Sequence, residues 1–166
     1  MNLYLDPGTA VLGAALFLDR RLIGAMVSRA KAKTIDLQVE QHCLNIREAF
    51  GHIVAERATV EWMSAGGDRV PAQDLINVQA VGSSVAGLLA SAVSHLSPTQ
   101  WKGNIPKRIH HPRIVRALEP DERAVSAALF ERARTGSSRG NDKEALDAVG
   151  MGLYDLQRTL RSGGRR

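Results

Sequence analysis

The chain has 166 residues, 44% of them hydrophobic, enough for one globular unit with a real core. A single cysteine, Cys43, excludes an internal disulfide framework and a zinc site built on Cys spacing. The net charge of +5 suits a polyanionic partner, but carries weight only where the basic residues cluster. Residues 1–6 read as a strand, and the apolar, β-capable runs Val11–Leu18 and Leu22–Val27 are separated by the turn Asp19-Arg20-Arg21. A three-strand antiparallel meander is expected. The period then changes: Val39, Cys43, Ile46, Phe50 and Ile53 predict an amphipathic helix over 36–55, with Asp36 as N-cap and Cys43 as a buried thiol. Residues 58–63 return to strand character, Gly66-Gly67 and Pro71 mark a loop, and a long apolar, small-residue helix follows over 73–94. Next come a short strand or extended piece with Pro98 and Trp101, helices over 107–118 and 121–133, a Gly/Ser-rich connector over 135–140, and a last helix over 141–160. Residues 161–166 form a basic tail, expected to be disordered. No apolar run reaches transmembrane length and no secretory leader pattern opens the chain, so a cytoplasmic location is expected.

The order β-β-β-α-β-α-β-α describes a mixed α/β sheet covered by helices, in which sites form where strand ends and helix ends converge. Four carboxylates fall at such ends. Asp6 closes the first strand before the chain-reversing Pro7-Gly8, and Glu61 follows the β-prone run Ala58-Thr59-Val60. Glu144 and Asp147 are spaced i,i+3 on one face of the last helix, where Ala148, Gly150 and Gly152 permit close approach to the sheet. Clustered carboxylates raise one another's pKa unless a cation lies between them, and oxygen donors select hard ions such as Mg²⁺ or Mn²⁺. Two such ions about 3.5–4 Å apart activate a water and stabilise the leaving oxygen of a phosphodiester. Taken singly, each acid also has an ordinary reading as turn residue, exposed strand residue or helix-dipole partner. Asp142 reads as the N-cap of the last helix and is an alternative to Glu144 as a ligand.

Between Trp101 and Arg116 stand Lys102, Lys107, Arg108, Arg113 and Arg116 with no acid before Glu119. Such a cluster suits successive phosphates, and Trp101 suits either stacking on an unpaired base or a place in the core. His110 and His111 add possible positive charge; as neighbours on a helix they do not face together, which argues against a shared metal. His42, His52 and His95 are expected at the surface or its boundary.

In order, these blocks resemble the RuvC-type Holliday-junction resolvases, in the compact form found among bacteriophage proteins. The resemblance covers nearly the whole chain: Leu5-Asp6-Pro7-Gly8 with Gly13; Val60-Glu61 followed by Asp74-Leu75-Ile76; Pro98-Thr99-Gln100-Trp101-Lys102-Gly103 with Pro106-Lys107; and Leu146-Asp147-Ala148-Val149-Gly150-Met151-Gly152-Leu153. It implies an RNase H-like fold, a mixed five-stranded sheet of antiparallel meander plus parallel strands flanked by helices, in a single nuclease domain over 1–160. It implies a Mg²⁺-dependent, structure-selective endodeoxyribonuclease using two ions, with Mn²⁺ able to substitute, acting as a homodimer on branched double-stranded DNA. Asp6, Glu61, Asp147 and, at the fourth acid's position, Glu144 are then metal ligands. Lys102 and Lys107 contact or polarise the scissile phosphate, and Trp101, Arg108 and Arg113 belong to the DNA-binding segment. Residue 144 is Glu where many relatives carry Asp, Asn or His, Trp62 replaces the glutamine or proline common there, and the Lys102–Lys107 stretch is shorter than in the bacterial enzymes. A non-catalytic nucleic-acid-binding protein of the same fold is the alternative. An actin-like or sugar-kinase-like ATPase half, suggested by Asp6-Pro7-Gly8 alone, is disfavoured by the missing second phosphate loop and the short chain.

Overall fold

A computed structural model describes residues 1–63, 71–125, 127, 129–130 and 142–158. Strands β1 (Asn2–Asp6), β2 (Val11–Leu18) and β3 (Arg21–Arg29) form the expected meander. β4 (Arg57–Glu61) and β5 (Val93–Leu96) add to the other edge of β1 in parallel, giving the order β3-β2-β1-β4-β5. This is the mixed five-stranded sheet anticipated from the sequence.

Helices cover both faces, which is why β1 and β4 are buried along most of their length rather than alternating with polar residues. Helices α1 (Ile35–Phe50) and α2 (Ala72–Leu89) close over Leu3, Leu5, Leu12, Ala14, Leu16, Ala58 and Val60. The opposite face carries Tyr4, Ala15 and Phe17 beneath α6 (Asp142–Asp155), with α3 (Pro98–Trp101) and α4 (Lys107–Ala117) packed against α6. A short α5 (Pro120–Val125) packs beside β3.

The period of a strand then decides where the acids go. Leu5 and Val60 face α1 and α2, so Asp6 and Glu61, one residue further, face α6. β1 and β4 run parallel with Leu5 opposite Val60, and the next step of that register brings Asp6 and Glu61 side by side at the carboxyl ends of both strands.

Several boundaries differ from the sequence expectation. α1 ends at Phe50, although Ile53 continues its apolar spacing, because Gly51 turns into the left-handed region at φ 82°. Thr34, not Asp36, is the N-cap; Asp36 lies in the first turn, where a carboxylate complements the helix dipole. The helix expected over 73–94 stops at Leu89, because Val93–Leu96 pairs with Ala58–Glu61 as an edge strand. Pairing with a distant strand overrides the local small-residue pattern there. The piece around Pro98 and Trp101 is a helical turn rather than extended chain, closed by a capping box between Ser97 and Gln100. Gly66-Gly67, the connector over 135–140 and the tail over 161–166 lie outside the described residues.

His42 is not at the surface. It is fully buried on α1, where its Nε2–H donates to the Thr9 carbonyl at 3.0 Å and its Nδ1 accepts from the Ser28 hydroxyl at 2.7 Å. Burial lowers its pKa, which keeps the ring in this neutral tautomer. Through that bond α1 tethers the turn that follows Asp6. His52 and His95 are exposed and Cys43 is buried, as expected.

Candidate active site

Asp6, Glu61 and Asp147 converge under the first half of α6, at 7%, 4% and 0% relative exposure. What lets α6 come so close is the absence of a side chain at Gly13, the register partner of Asp6 on β2. A Cβ at Gly13 would lie 2.1 Å from the backbone carbonyl of Glu144. Further along α6, a Cβ at Gly150 would meet Trp101 and Ile114 at 2.6 and 2.7 Å. The small residues of α6 thus seat it on the sheet and on α3 and α4 at once.

Two ammonium groups stand among the acids. Lys102 Nζ lies 2.9 Å from Glu61 Oε1 and 3.5 Å from Asp147 Oδ2, and Lys107 Nζ lies 2.6 Å from Asp147 Oδ2. Asp147 also receives His111 Nε2 at 2.9 Å on its other oxygen. Glu61 Oε1 accepts from the indole N–H of Trp101 at 3.0 Å, and Lys102 Nζ sits 4.6 Å from the centre of that ring.

The three carboxyls differ in electrostatics. Burial, followed by the charges of Glu61 and Asp147, pushes the Asp6 carboxyl well above the usual carboxylate range, and Lys107 and Lys102 offset only part of this. Burial opposes ionisation of Asp147 too, but His111, Lys102 and Lys107 overcome it and hold that carboxyl well below its ordinary value. Burial alone would lower the pKa of Lys107; Asp147, Asp6 and Glu144 outweigh it and raise it. The cluster thus contains one carboxylate with strong partners and one, Asp6, that lacks a sufficient cation.

Glu144 lies at the rim, half-buried, with its Oε2 buried and without a hydrogen-bond partner among the described residues. Lys107 feels its charge. Asp142 lies in the first turn of α6. Among the described residues, no three His, Cys, Asp or Glu side chains form a ready-made metal cage. The donor set nonetheless suits a hard divalent cation: three buried or nearly buried carboxylates, one made reluctant to ionise by burial and by its acidic neighbours, and an orphaned carboxylate oxygen beside them.

Trp101 requires a correction. A stacking platform must be exposed; Trp101 is 4% exposed, with its N–H committed to Glu61 and its ring against Lys102, His110 and Gly150. It is a wall of the site that orients Glu61. Lys102 likewise faces the acids, its side chain 16% exposed, whereas Lys107 and Arg108 are exposed and Arg113 partly so.

His111 is the site residue that sequence reasoning missed. Its signal was available: Lys107 and His111 are spaced i,i+4 and meet Asp147 from one face of α4. His110, on a different face, lies against Trp101 at 5.0 Å. It adds no positive charge near neutral pH, because burial brings its pKa down to about 4.

No sequence-family model and no curated protein matches the chain. Solved structures do. The RuvC of T. thermophilus in complex with Holliday junction substrate superposes with a TM-score of 0.53 at 18% identity, covering 92% of this chain and 90% of that one. A Thermus thermophilus RuvC structure gives a TM-score of 0.48 at 16% identity over 92% and 91% of the two chains. No helix among the described residues is long and apolar enough to cross a membrane. Sheet order, mixed strand direction and superposition over nine-tenths of both chains agree: this chain has the RNase H-like fold of the RuvC Holliday-junction resolvases.

Proposed function

We propose that the chain is a divalent-metal-dependent endonuclease that cleaves phosphodiesters in branched DNA. The observation that carries this reading is the convergence of Asp6, Glu61 and Asp147 with Lys102 and Lys107 at the carboxyl ends of two parallel strands. Asp6, Glu61 and Asp147, with Glu144 as fourth donor, would hold Mg²⁺ or Mn²⁺, two ions being the reading carried from the family. When bound, the metal supplies Lewis acidity and an activated water. The remaining roles belong to the protein. Lys107, on the exposed lip of the site, binds and neutralises the scissile phosphate, and Lys102 adds positive charge from within. His111 and Trp101 keep one oxygen each of Asp147 and Glu61 in a fixed direction, so these acids need no reorientation when substrate arrives.

The direct test is a panel of labelled branched and linear DNAs incubated with Mg²⁺ or Mn²⁺. Metal-dependent cleavage of a four-way junction, with linear duplex left intact, is the expected result; no cleavage of any branched DNA with either ion overturns the reading. Calorimetry separates it from a non-catalytic DNA-binding protein of this fold. Saturable Mn²⁺ or Mg²⁺ binding that Asp6→Asn removes is expected of the nuclease and not of the rival.

DNA affinity supplies a separate check. Lys102→Ala and Lys107→Ala are both expected to weaken junction binding and flatten its salt dependence, Lys107→Ala the more strongly because Lys107 is the exposed one. Removing one phosphate-binding ammonium at Lys107 reduces the log–log salt slope by about 1. Binding unchanged at every salt concentration would remove α4 from the DNA-binding surface.

A homodimer completes the proposal, since a four-way junction presents two strands for symmetric cutting. Trp62, Met63 and Ile76 are exposed at 44%, 37% and 60% along one apolar groove beside α2, a suitable place for a second copy. Sedimentation of Ile76→Lys as a monomer, against a dimeric parent, checks that face.

A further inference from the structure

Trp101 is shared by the acidic site and by a separate cavity of about 710 Å³ that the proposed cleavage does not use. Its walls include Ile105, His110, Arg113, Leu153 and Tyr154. His110 is 2% exposed, yet neither of its buried ring nitrogens has a hydrogen-bond partner among the described residues. Buried polar groups are almost always paired, because one left unmet loses the hydrogen bonds that water would have given it. At neutral pH the ring is uncharged, so it presents one N–H donor and one nitrogen acceptor.

Arg113 stands one turn further along α4 and makes no hydrogen bond or ion pair among the described residues. The cavity's other charges are spoken for. Arg158 is held by Glu122 and by the carbonyls of Arg20 and Ala117, and Asp155 by the Tyr4 hydroxyl and Arg57. Ile105 and Tyr154 are 38% and 45% exposed, so part of the wall is apolar and open to a ligand.

These features select a ligand. A simple anion would meet Arg113 but leave the apolar wall unused; a hydrocarbon would fill the wall but leave His110 and Arg113 unmet. A planar heteroaromatic group carrying an anion meets all three, and a cavity of this volume has room for it. We propose that this cavity is a binding site for a single nucleotide unit, whose base lies against Ile105 and Tyr154 with a polar edge towards His110 and whose phosphate is held by Arg113. The nucleotide is either an unstacked residue of a DNA strand or a free mononucleotide; the recognising chemistry is the same. The proposal does not rest on the nuclease reading, because it requires neither metal nor cleavage.

The test uses the full chain in EDTA, titrated with dAMP and dCMP by calorimetry and followed by the ¹⁵N resonances of the histidine rings. A mononucleotide is expected to bind more tightly than either inorganic phosphate or the matching nucleoside, and to shift the His110 ring signals. Arg113→Met and Tyr154→Ala, at partly and substantially exposed positions, are each expected to weaken it roughly tenfold while circular dichroism stays unchanged. A four-way junction carrying 2-aminopurine at successive positions then distinguishes the sources. A fluorescence rise at one position, suppressed by excess dAMP, identifies a residue of the strand; dAMP binding without such a rise identifies a free mononucleotide. No saturable binding up to roughly 10 mM, phosphate alone binding as well as the nucleotide, or both variants binding as the parent does, each overturns the proposal.

Discussion

Asp6→Asn is expected to lower metal-dependent junction cleavage by roughly a thousandfold or more, with junction affinity within about twofold of the parent. Asp6 is the acid that the fold makes hardest to ionise, since burial and the charges of Glu61 and Asp147 act in the same direction on it. A bound cation relieves that cost, and the amide, being neutral, can neither use the cation nor repel the neighbouring acids. The same substitution therefore has a second expected result, on stability. Because the folded pKa of Asp6 lies above its ordinary value of 3.8, ionised Asp6 disfavours the fold at pH values above that raised pKa. The penalty shrinks as pH falls through the raised pKa and vanishes below 3.8. In EDTA at pH 8, Asp6→Asn should melt at a higher temperature than the parent, by about 1 kcal/mol of stability, and the gap should close on acidification. Single-turnover cleavage, anisotropy in EDTA and thermal melts at several pH values measure the three effects. Cleavage at the parental rate sinks the role of Asp6; a variant less stable at pH 8 sinks the electrostatic account of it.

Gly13→Ala is expected to destabilise the chain by about 3 kcal/mol, the upper end for one added methyl in a packed core. At this chain length that lowers the melting temperature by roughly 6–12 °C. The obstacle is a backbone carbonyl, that of Glu144 at 2.1 Å, rather than a side chain able to rotate away. Relief requires α6 to lift off the sheet, which carries Asp147 away from Asp6 and Glu61. Cleavage should therefore fall even at temperatures where circular dichroism shows the variant folded, by a factor of about a hundred for a displacement near 1 Å. A variant that melts and cleaves like the parent would mean that α6 does not rest on β2 at this point.

The sheet was legible in the sequence because its signals are local: the runs in β1 to β4 and the turns between them. The acids at strand ends were legible for the same reason, and the period-2 rule places Asp6 and Glu61 on one face without any tertiary information. β5 was legible only in part, as a short strand expected after residue 94, because Val93–Leu96 continues the apolar spacing of α2 and becomes a strand only through pairing with β4. The burial of His42 was hidden in the same way, since its partners Ser28 and Thr9 come from other elements. Lys102 and Trp101 were legible as members of the site segment but not in their direction. A basic, aromatic stretch reads as a surface for DNA; the acids it meets are 41 and 45 residues away in sequence. His111 could have been found by asking which residues share the Lys107 face of α4.

The seating of α6 against β1 and β2 joins elements far apart in the sequence: Asp6 lies in the first strand and Asp147 in the last described helix. A ribosome must therefore have passed Asp147 before the acids can meet. Until then α6 is missing, and the face of the sheet carrying Tyr4, Ala15 and Phe17 is without a principal cover. Pairings so distant in sequence form late and slowly. The nascent chain is thus prone to stick to its neighbours, and the cluster of acids comes into being together with the closing of the core.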